Sequence, residues 1–449
     1  MKRVVVTTGT RPEIIKLSLL IKLLKADSGI ETLFIHSGQH YDDAMFSKFL
    51  ADLELPQPDE NFHLGSGSHV YHLSTMMTLY ERTFTSFQPD LVIAQGDTNT
   101  VLASALTARK MDLAFGHVEA GLRSFDRQMP EEINRILAAY CTELHFAPTK
   151  LAVQNLLHAG IAASKIFLTG NPIVDVLKRN LEIAKRRSSV LDDLGIRSDL
   201  ERGRRLVVLT THRPANVDHP EPLKRILEGL RGINGNNLIV FPVHPRTSKS
   251  LERLGLTDEL EKIPGMLAVP PLGYLDFLIL MERAKVVITD SGGMQEEALV
   301  LGTPCVVLRE NTERPETLTA GRTRLVGSDS ALISRWTNEF LSSPPGIEPR
   351  IFPFGTGDAS RKIFDLVTAF LRGELSTKSK AEGARLWTVA PRYAVSKVPR
   401  ELAGKTYQQL LNEFPHHVLG VYDASGNMIT LNPEDPVDAS FLLNYLKFE

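Results

Sequence analysis

Three acidic side chains and a histidine occupy places where chemistry on a charged ligand would need them. Glu119 lies in Gly116-His117-Val118-Glu119-Ala120-Gly121-Leu122-Arg123, just past an apolar run, Leu113-Ala114-Phe115, that reads as a buried strand. Glu131 follows in Pro130-Glu131-Glu132-Ile133-Asn134-Arg135, in the first turn of the next helix. Asp97 stands in Gln95-Gly96-Asp97-Thr98-Asn99-Thr100 and His212 in Thr211-His212-Arg213-Pro214, each directly after a strand pattern. In an open α/β sheet the carboxyl ends of the strands face the ligand crevice. Acids and an arginine at such ends suit proton transfer beside an anion. A helix cap is the commoner role of a lone aspartate, and a surface loop the commoner setting of a lone histidine.

Two further turns carry anion-binding chemistry. Thr8-Gly9-Thr10-Arg11-Pro12-Glu13-Ile14-Ile15-Lys16 opens a helix after the first strand, with Arg11 and Lys16 adding charge to its N-terminus. A solvated turn whose basic residues touch nothing explains that pair as readily. Asp290-Ser291-Gly292-Gly293-Met294-Gln295-Glu296-Glu297 opens another helix. Its Ser291, Gly292 and Gly293 let backbone approach a diphosphate, and Glu297 sits one turn on, within reach of ribose hydroxyls. Arg314 follows a later strand in Thr312-Glu313-Arg314-Pro315-Glu316. Recurrence at strand ends in both halves lifts this set above its separate members.

The elements that must position these residues alternate. Strand patterns at 4–8, 31–36, 91–94, 113–118, 143–147 and 166–168 are separated by helical patterns. The rhythm breaks at Gly170-Asn171-Pro172 and restarts with strands at 206–210, 238–241, 266–269, 286–289 and 305–308. This predicts two doubly wound, Rossmann-like α/β domains, at 1–172 and 173–374. Residues 373–383 read as a linker. A small α+β module follows at 385–449, with a helix at 406–411 and a hairpin across 418–431.

Composition narrows the class. With 449 residues, 51 basic and 53 acidic, the charge balance offers no bulk grip on nucleic acid or membrane. The expectation is a cytoplasmic protein without a signal peptide or membrane span. Cys141 and Cys305 are far apart, lack metal-ligand spacing and read as buried thiols. No G-x-G-x-x-G dinucleotide fingerprint follows the first strand, so no nicotinamide is expected, and with no metal-ligand spacing at the cysteines no metal is expected either.

Together the motifs GTRPE at 9–13 with Lys16, QGDTNT at 95–100, GHVEAGLRS at 116–124, PEEINR at 130–135, DSGGMQEEA at 290–298 and TERPE at 312–316 resemble the non-hydrolysing UDP-N-acetylglucosamine 2-epimerase family, over about residues 4–372. The resemblance implies a glycosyltransferase-B architecture, a UDP-sugar held between the halves, a last helix crossing back to the first domain, a homodimer and no cofactor. It implies Asp97, Glu119 and Glu131 as catalytic carboxylates and His212 as the active-site histidine. Arg11, Lys16, Ser291, Gly292, Gly293 and Arg314 match positions near the diphosphate and active site, Phe277 an aromatic near uracil and Glu297 a ribose partner. Gln39, His40, Met45, Arg213 and His244 are similar to a second, activating nucleotide-sugar site. Met45 falls two residues later than the QHxxM spacing of that region. The tail resembles small TrkA-C-type ligand-binding modules.

The implied reaction explains the residue types. The hydrogen on C2 of an N-acetylhexosamine is not acidic, since no carbonyl adjoins it in the ring. Losing UDP from C1 lets proton removal form a C1=C2 bond, giving 2-acetamidoglucal. UDP and a proton then return, the proton on the opposite face. Which carboxylate is the base stays open at this level. The rival readings are a 2-epimerase of a UDP-2,3-diacetamido uronic acid, a hydrolysing epimerase, a glycosyltransferase of the same fold, and a nucleotide-sugar sensor without turnover.

Overall fold

Short apolar runs, each closed by a polar or glycine-bearing turn, build two parallel sheets. The computed structural model describes residues 1–38, 43–64, 67–343, 353–375 and 409, and the strands at 392–397, 418–422, 428–429 and 442–447. For 43–45, 319 and those last strands it gives backbone alone. The chain divides into two compact units, Met1–Asn180 with Phe352–Thr388 and Leu181–Ile351 with Val389–Glu449. Helix Pro172–Arg187 begins in the first unit and ends in the second.

The first sheet comprises β1 (Lys2–Thr8), β2 (Ile30–His36), β3 (Glu60–Asn61), β4 (Leu91–Gln95), β5 (Ala114–Val118), β6 (Leu144–Ala147) and β7 (Ile166–Leu168). Their order is β3-β2-β1-β4-β5-β6-β7, all parallel. The strand order reverses between β1 and β4. At such a reversal the following helices leave on opposite faces, so a crevice opens past the carboxyl ends. Val5, Val92 and Phe115 share one core with Tyr80 and Phe84 of helix His69–Phe87. Apolar residues on both faces make the strands near-continuous hydrophobic runs, as a covered parallel sheet requires.

The second sheet repeats the plan with β8 (Arg205–Thr210), β9 (Asn237–Pro242), β10 (Met266–Val269), β11 (Val286–Thr289), β12 (Cys305–Val307) and β13 (Thr323–Leu325). The order is β10-β9-β8-β11-β12-β13, and the reversal falls between β8 and β11, whose ends Thr210 and Thr289 are in register. Two cores cover it, one on Val207, Leu209, Ile288 and Trp336, the other on Val208, Val287, Leu280 and Cys305. The sequence pattern missed β3 and β13, whose Glu60-Asn61 and Thr323-Arg324-Leu325 are not apolar runs, unlike the equally short Ile166-Phe167-Leu168 of β7.

In the tail, β14 (Arg392–Lys397), β15 (Val418–Tyr422), β16 (Met428–Ile429) and β17 (Leu442–Lys447) form an antiparallel sheet ordered β14-β17-β15-β16. The expected hairpin is present as β15 paired with β16. The expected helix at 406–411, apart from residue 409, and the linker beyond 375 lie outside the described residues. Among the described residues no helix is long and apolar enough to cross a membrane.

Helix Ala359–Leu371 belongs to the first unit and packs on helix Arg11–Ala26. Its first amides are satisfied from a distance: Asp175 accepts from the Ala359 and Ser360 nitrogens at 3.2 and 2.6 Å. The adjoining Asp358 makes no cap bond of its own. Replacing Asp175 by Ala should cost about 1–2 kcal/mol, the usual worth of a helix cap, read as a lower urea midpoint. An unchanged midpoint would remove Asp175 from this role.

Candidate active site

At the reversal of the first sheet, the turns after β1 and β4 meet. Gly9 is required there, because a Cβ on it would collide with the Thr100 hydroxyl. Glu13, in the first turn of helix Arg11–Ala26, folds back to accept the amides of Gly9 and Thr10 (3.0 Å for Thr10) and the hydroxyl of Thr98 at 2.5 Å. One buried carboxylate thereby ties the turn carrying Arg11 to the turn carrying Asp97. Burial pushes the Glu13 carboxyl up to about 7, against those hydrogen bonds, and the charge of Asp97 adds to the rise.

Asp97 is not a helix cap; Thr98 holds that position for helix Asn99–Lys110. Its carboxylate instead accepts from Arg135 Nε and Nη2 at 3.0 and 2.6 Å, while Asn134 donates to its carbonyl at 2.9 Å. Arg135 Nη1 reaches Glu132, whose carboxylate also takes the Ser124 amide at 2.9 Å. Adjacent acids on helix Pro130–Cys141 therefore differ. Glu132 is buried in this network, and Glu131, about 100° round the helix, lines a cavity of 370 Å³ together with Asp97, Thr10, His69 and Asn134.

Glu119 directly follows β5 with a φ of 68°. A glutamate in that left-handed region costs about 1–3 kcal/mol and persists only where its surroundings hold it. Here they do: its carboxylate is buried, 2.7 Å from Lys16 Nζ, and takes a hydrogen bond from the Gln95 amide. Two residues earlier, burial pushes the His117 ring down to about 4, against its bond to Gly96. The neutral ring donates Nε2–H to the Gly96 carbonyl at 2.7 Å, bracing the turn before Asp97.

At the second reversal, the turns after β8 and β11 meet on Asp290, which is fully buried. It accepts from the Thr211 hydroxyl, the amides of His212 and Arg213, and Asn216, and its Oδ1 lies 3.1 Å from His212 Nδ1. Ser291 stands at the N-cap position of helix Gly292–Leu301 without a side-chain cap bond. Gly292 leaves room for Arg314, since a Cβ there would stand 2.6 Å from its Nη1. Arg314 is buried between Glu296, 2.6 Å from its Nε, and Glu313, which also lies 2.8 Å from Arg309.

Of the residues singled out in the sequence, Asp97 and Glu131 share one cavity, and Glu119 lies closed against Lys16. The Arg11 guanidinium lies over the Phe49 ring, 5.4 Å from its centroid. His212 is half-exposed, and Ser291, Gly292 and Gly293 form the helix opening beside it. Glu297 accepts from the Tyr274 hydroxyl at 3.3 Å, and Phe277 packs partly buried against the second unit's core. Arg213 Nε donates to the Asp290 carbonyl at 2.9 Å. His244 caps helix Pro245–Arg253 through Nδ1, its ring 5.3 Å from that of His212. Gln39, His40 and the Met45 side chain lie outside the described residues.

Sequence reasoning passed over Glu13, Gln95, Glu132, Arg135 and Asp290. The Thr10-x-x-Glu13 capping spacing was the available signal for the first. Nothing in one sequence marks the others as meeting.

A family model described as UDP-N-acetylglucosamine 2-epimerase matches residues 22–368. The chain belongs to this family. A UDP-N-acetylglucosamine 2-epimerase of Methanococcus maripaludis is 42% identical over 369 residues, covering 82% of this chain and 98% of the relative. A UDP-2,3-diacetamido-2,3-dideoxy-D-glucuronate 2-epimerase of Pseudomonas aeruginosa is 35% identical, with 80% and 98% covered. The crystal structure of the Methanocaldococcus jannaschii UDP-GlcNAc 2-epimerase in complex with UDP-GlcNAc and UDP superposes with a TM-score of 0.72, at 42% identity over 82% of this chain and 99% of that one. The fold class read from the sequence, two doubly wound α/β domains of glycosyltransferase-B type, is the one found. Strands β14 to β17 lie beyond the family match.

Glu13 makes a testable mark on stability. Its folded carboxyl holds a proton up to about pH 7, whereas the unfolded one releases it near 4.5. Between those values the folded chain binds more protons, so stability falls as pH rises through the window and levels off above it. Glu13→Gln should flatten this share of the curve in urea titrations from pH 4.5 to 8. A variant curve with the parent's slope would refute the assignment.

Proposed function

We propose that the protein interconverts UDP-N-acetylglucosamine and UDP-N-acetylmannosamine, by eliminating UDP to a 2-acetamidoglucal and adding it back. The observation that carries the reading is Asp97 and Glu131 opening onto one cavity of a chain so similar to curated 2-epimerases. Proton removal and return at C2 needs an acid and a base, each worth about 10²–10⁴-fold in rate. Asp97 and Glu131 open onto the cavity where such transfers could occur, and Glu119 with Lys16 completes the set that the resemblance implies.

Breaking the C1–O bond leaves its electron pair on UDP. The departing charge needs fixed positive partners that do not have to reorganise. The Ser291 turn at a helix N-terminus, His212, Arg11 and Arg314 are the proposed partners, with Phe277 for uracil and Glu297 for ribose. The proposed domains are 1–172, 173–374 with its last helix crossing back, and an appended module at 385–449. The relative acting on a UDP-diacetamidoglucuronate favours a second reading, in which the sugar carries a 3-acetamido group and a carboxylate.

We also propose a homodimer. Ile133, Leu137 and Tyr140 stand 39, 44 and 61% exposed at positions i, i+4 and i+7 of helix Pro130–Cys141, an apolar stripe facing water. The free thiols of Cys141 and Cys305 fit a reducing, cytoplasmic setting.

Incubation with UDP-N-acetylglucosamine in D₂O should yield UDP-N-acetylmannosamine deuterated at C2. Free N-acetylmannosamine or unlabelled product overturns the reading, and turnover of the diacetamidoglucuronate sugar alone moves it to the second substrate. Asp97→Asn should lower kcat by about 10²–10⁴-fold with UDP affinity nearly kept; full turnover would exclude Asp97. Leu137→Glu should convert a dimer into a monomer by sedimentation, and a monomeric parent would sink the dimer.

A further inference from the structure

Asp290 presents two differently employed oxygens. Its Oδ2 accepts the Thr211 hydroxyl at 2.7 Å, the His212 amide at 3.0 Å, the Arg213 amide at 2.9 Å and Asn216 Nδ2 at 3.0 Å. Those bonds alone fasten the turn after β8 to the end of β11. Its Oδ1 has a longer contact to the His212 amide, 3.2 Å, and one to the His212 ring at Nδ1, 3.1 Å. The ring contact is therefore surplus to holding the fold. Burial alone would raise this carboxyl, but the bond and charge of His212, with the Arg213 amide and the Thr211 hydroxyl, hold it well below the usual range. Asp290 thus remains an anion at working pH, buried directly behind a half-exposed imidazole.

We propose that Asp290 is a positioning residue for the reaction: it takes the Nδ1 hydrogen of His212, fixes the ring, and leaves Nε2 as the nitrogen presented to the departing diphosphate. This rests on the part given to His212 above. A carboxylate on Nδ1–H selects one tautomer and stabilises positive charge on the ring as negative charge grows on the leaving oxygen. No proton passes to Asp290. The same residue steadies a second cation, since its carbonyl accepts from Arg213 Nε at 2.9 Å. The next residue, Ser291, opens helix Gly292–Leu301, so imidazole, guanidinium and helix opening share one anchor.

The test is a double-mutant cycle on the full chain. Asp290→Asn should lower kcat by about 10²-fold, the scale of losing one charge-stabilising donor, with KM changed little. In a His212→Asn background the same substitution should cost nothing further. If His212→Asn alone keeps full turnover, the role of His212 falls and this inference with it. If His212→Asn is impaired but Asp290→Asn costs the same in both backgrounds, only the positioning role of Asp290 is overturned. A second measurement needs no Asp290 variant: in ¹⁵N-histidine-labelled protein, with His212→Asn marking the signal, the neutral His212 ring should carry its proton on Nδ1. Loss of the Nδ1 proton with Nε2 retaining its own would overturn the inference.

Discussion

A carboxylate taken out of water costs several kcal/mol unless donors or a cation replace its solvent, and this fold buries acids at both sheet reversals. Each is matched. Glu119 has Lys16 and Gln95, Glu132 has Arg135 and the Ser124 amide, and Asp290 has four hydrogen-bonding groups on one oxygen. Glu296 and Glu313 close on Arg314. Matching dictates where the side chains can be. Removing one partner strands a buried charge, so these networks hold geometry more tightly than exposed pairs would.

Strand order decides where the matching happens. β1 and β4 are neighbours although two strands intervene in sequence, and so are β8 and β11. Each reversal brings together two turns from distant parts of the chain. Glu13 bridges one pair, linking the Gly9 turn to Thr98, and Asp290 bridges the other, linking its strand end to the Thr211–Arg213 turn. The bridges differ in charge state for a physical reason. Glu13 is so desolvated that its carboxyl rises to about 7, whereas the donors around Asp290 outweigh its burial.

Strain and periodicity sharpen the division of labour. Glu119 sits in a left-handed conformation directly after β5, held by its ion pair. Glu131 and Glu132 are adjacent in sequence, yet the helix turns one to a cavity and the other into the interior. Farther along that helix, a stripe of exposed apolar side chains is what remains of an amphipathic pattern whose other face covers the sheet.

Much of this was legible in the residues. Hydrophobic runs of four or more residues marked most strands, and glycine- and proline-bearing turns marked where helices begin. Clustered acids and bases at those turns pointed to Asp97, Glu119, Glu131, His212 and the Ser291 opening. β3 and β13 carry polar residues in place of an apolar run, so only pairing in the sheet reveals them. Sequence also could not distinguish Asp97 as a cap from Asp97 as a partner of Arg135, 38 positions away. Nor could it show that Lys16 closes on Glu119, or that Asp290 stands behind His212 from 78 residues downstream. Local pattern follows from side-chain spacing along the chain, but these pairings depend on which strands lie side by side, and only the folded sheets decide that.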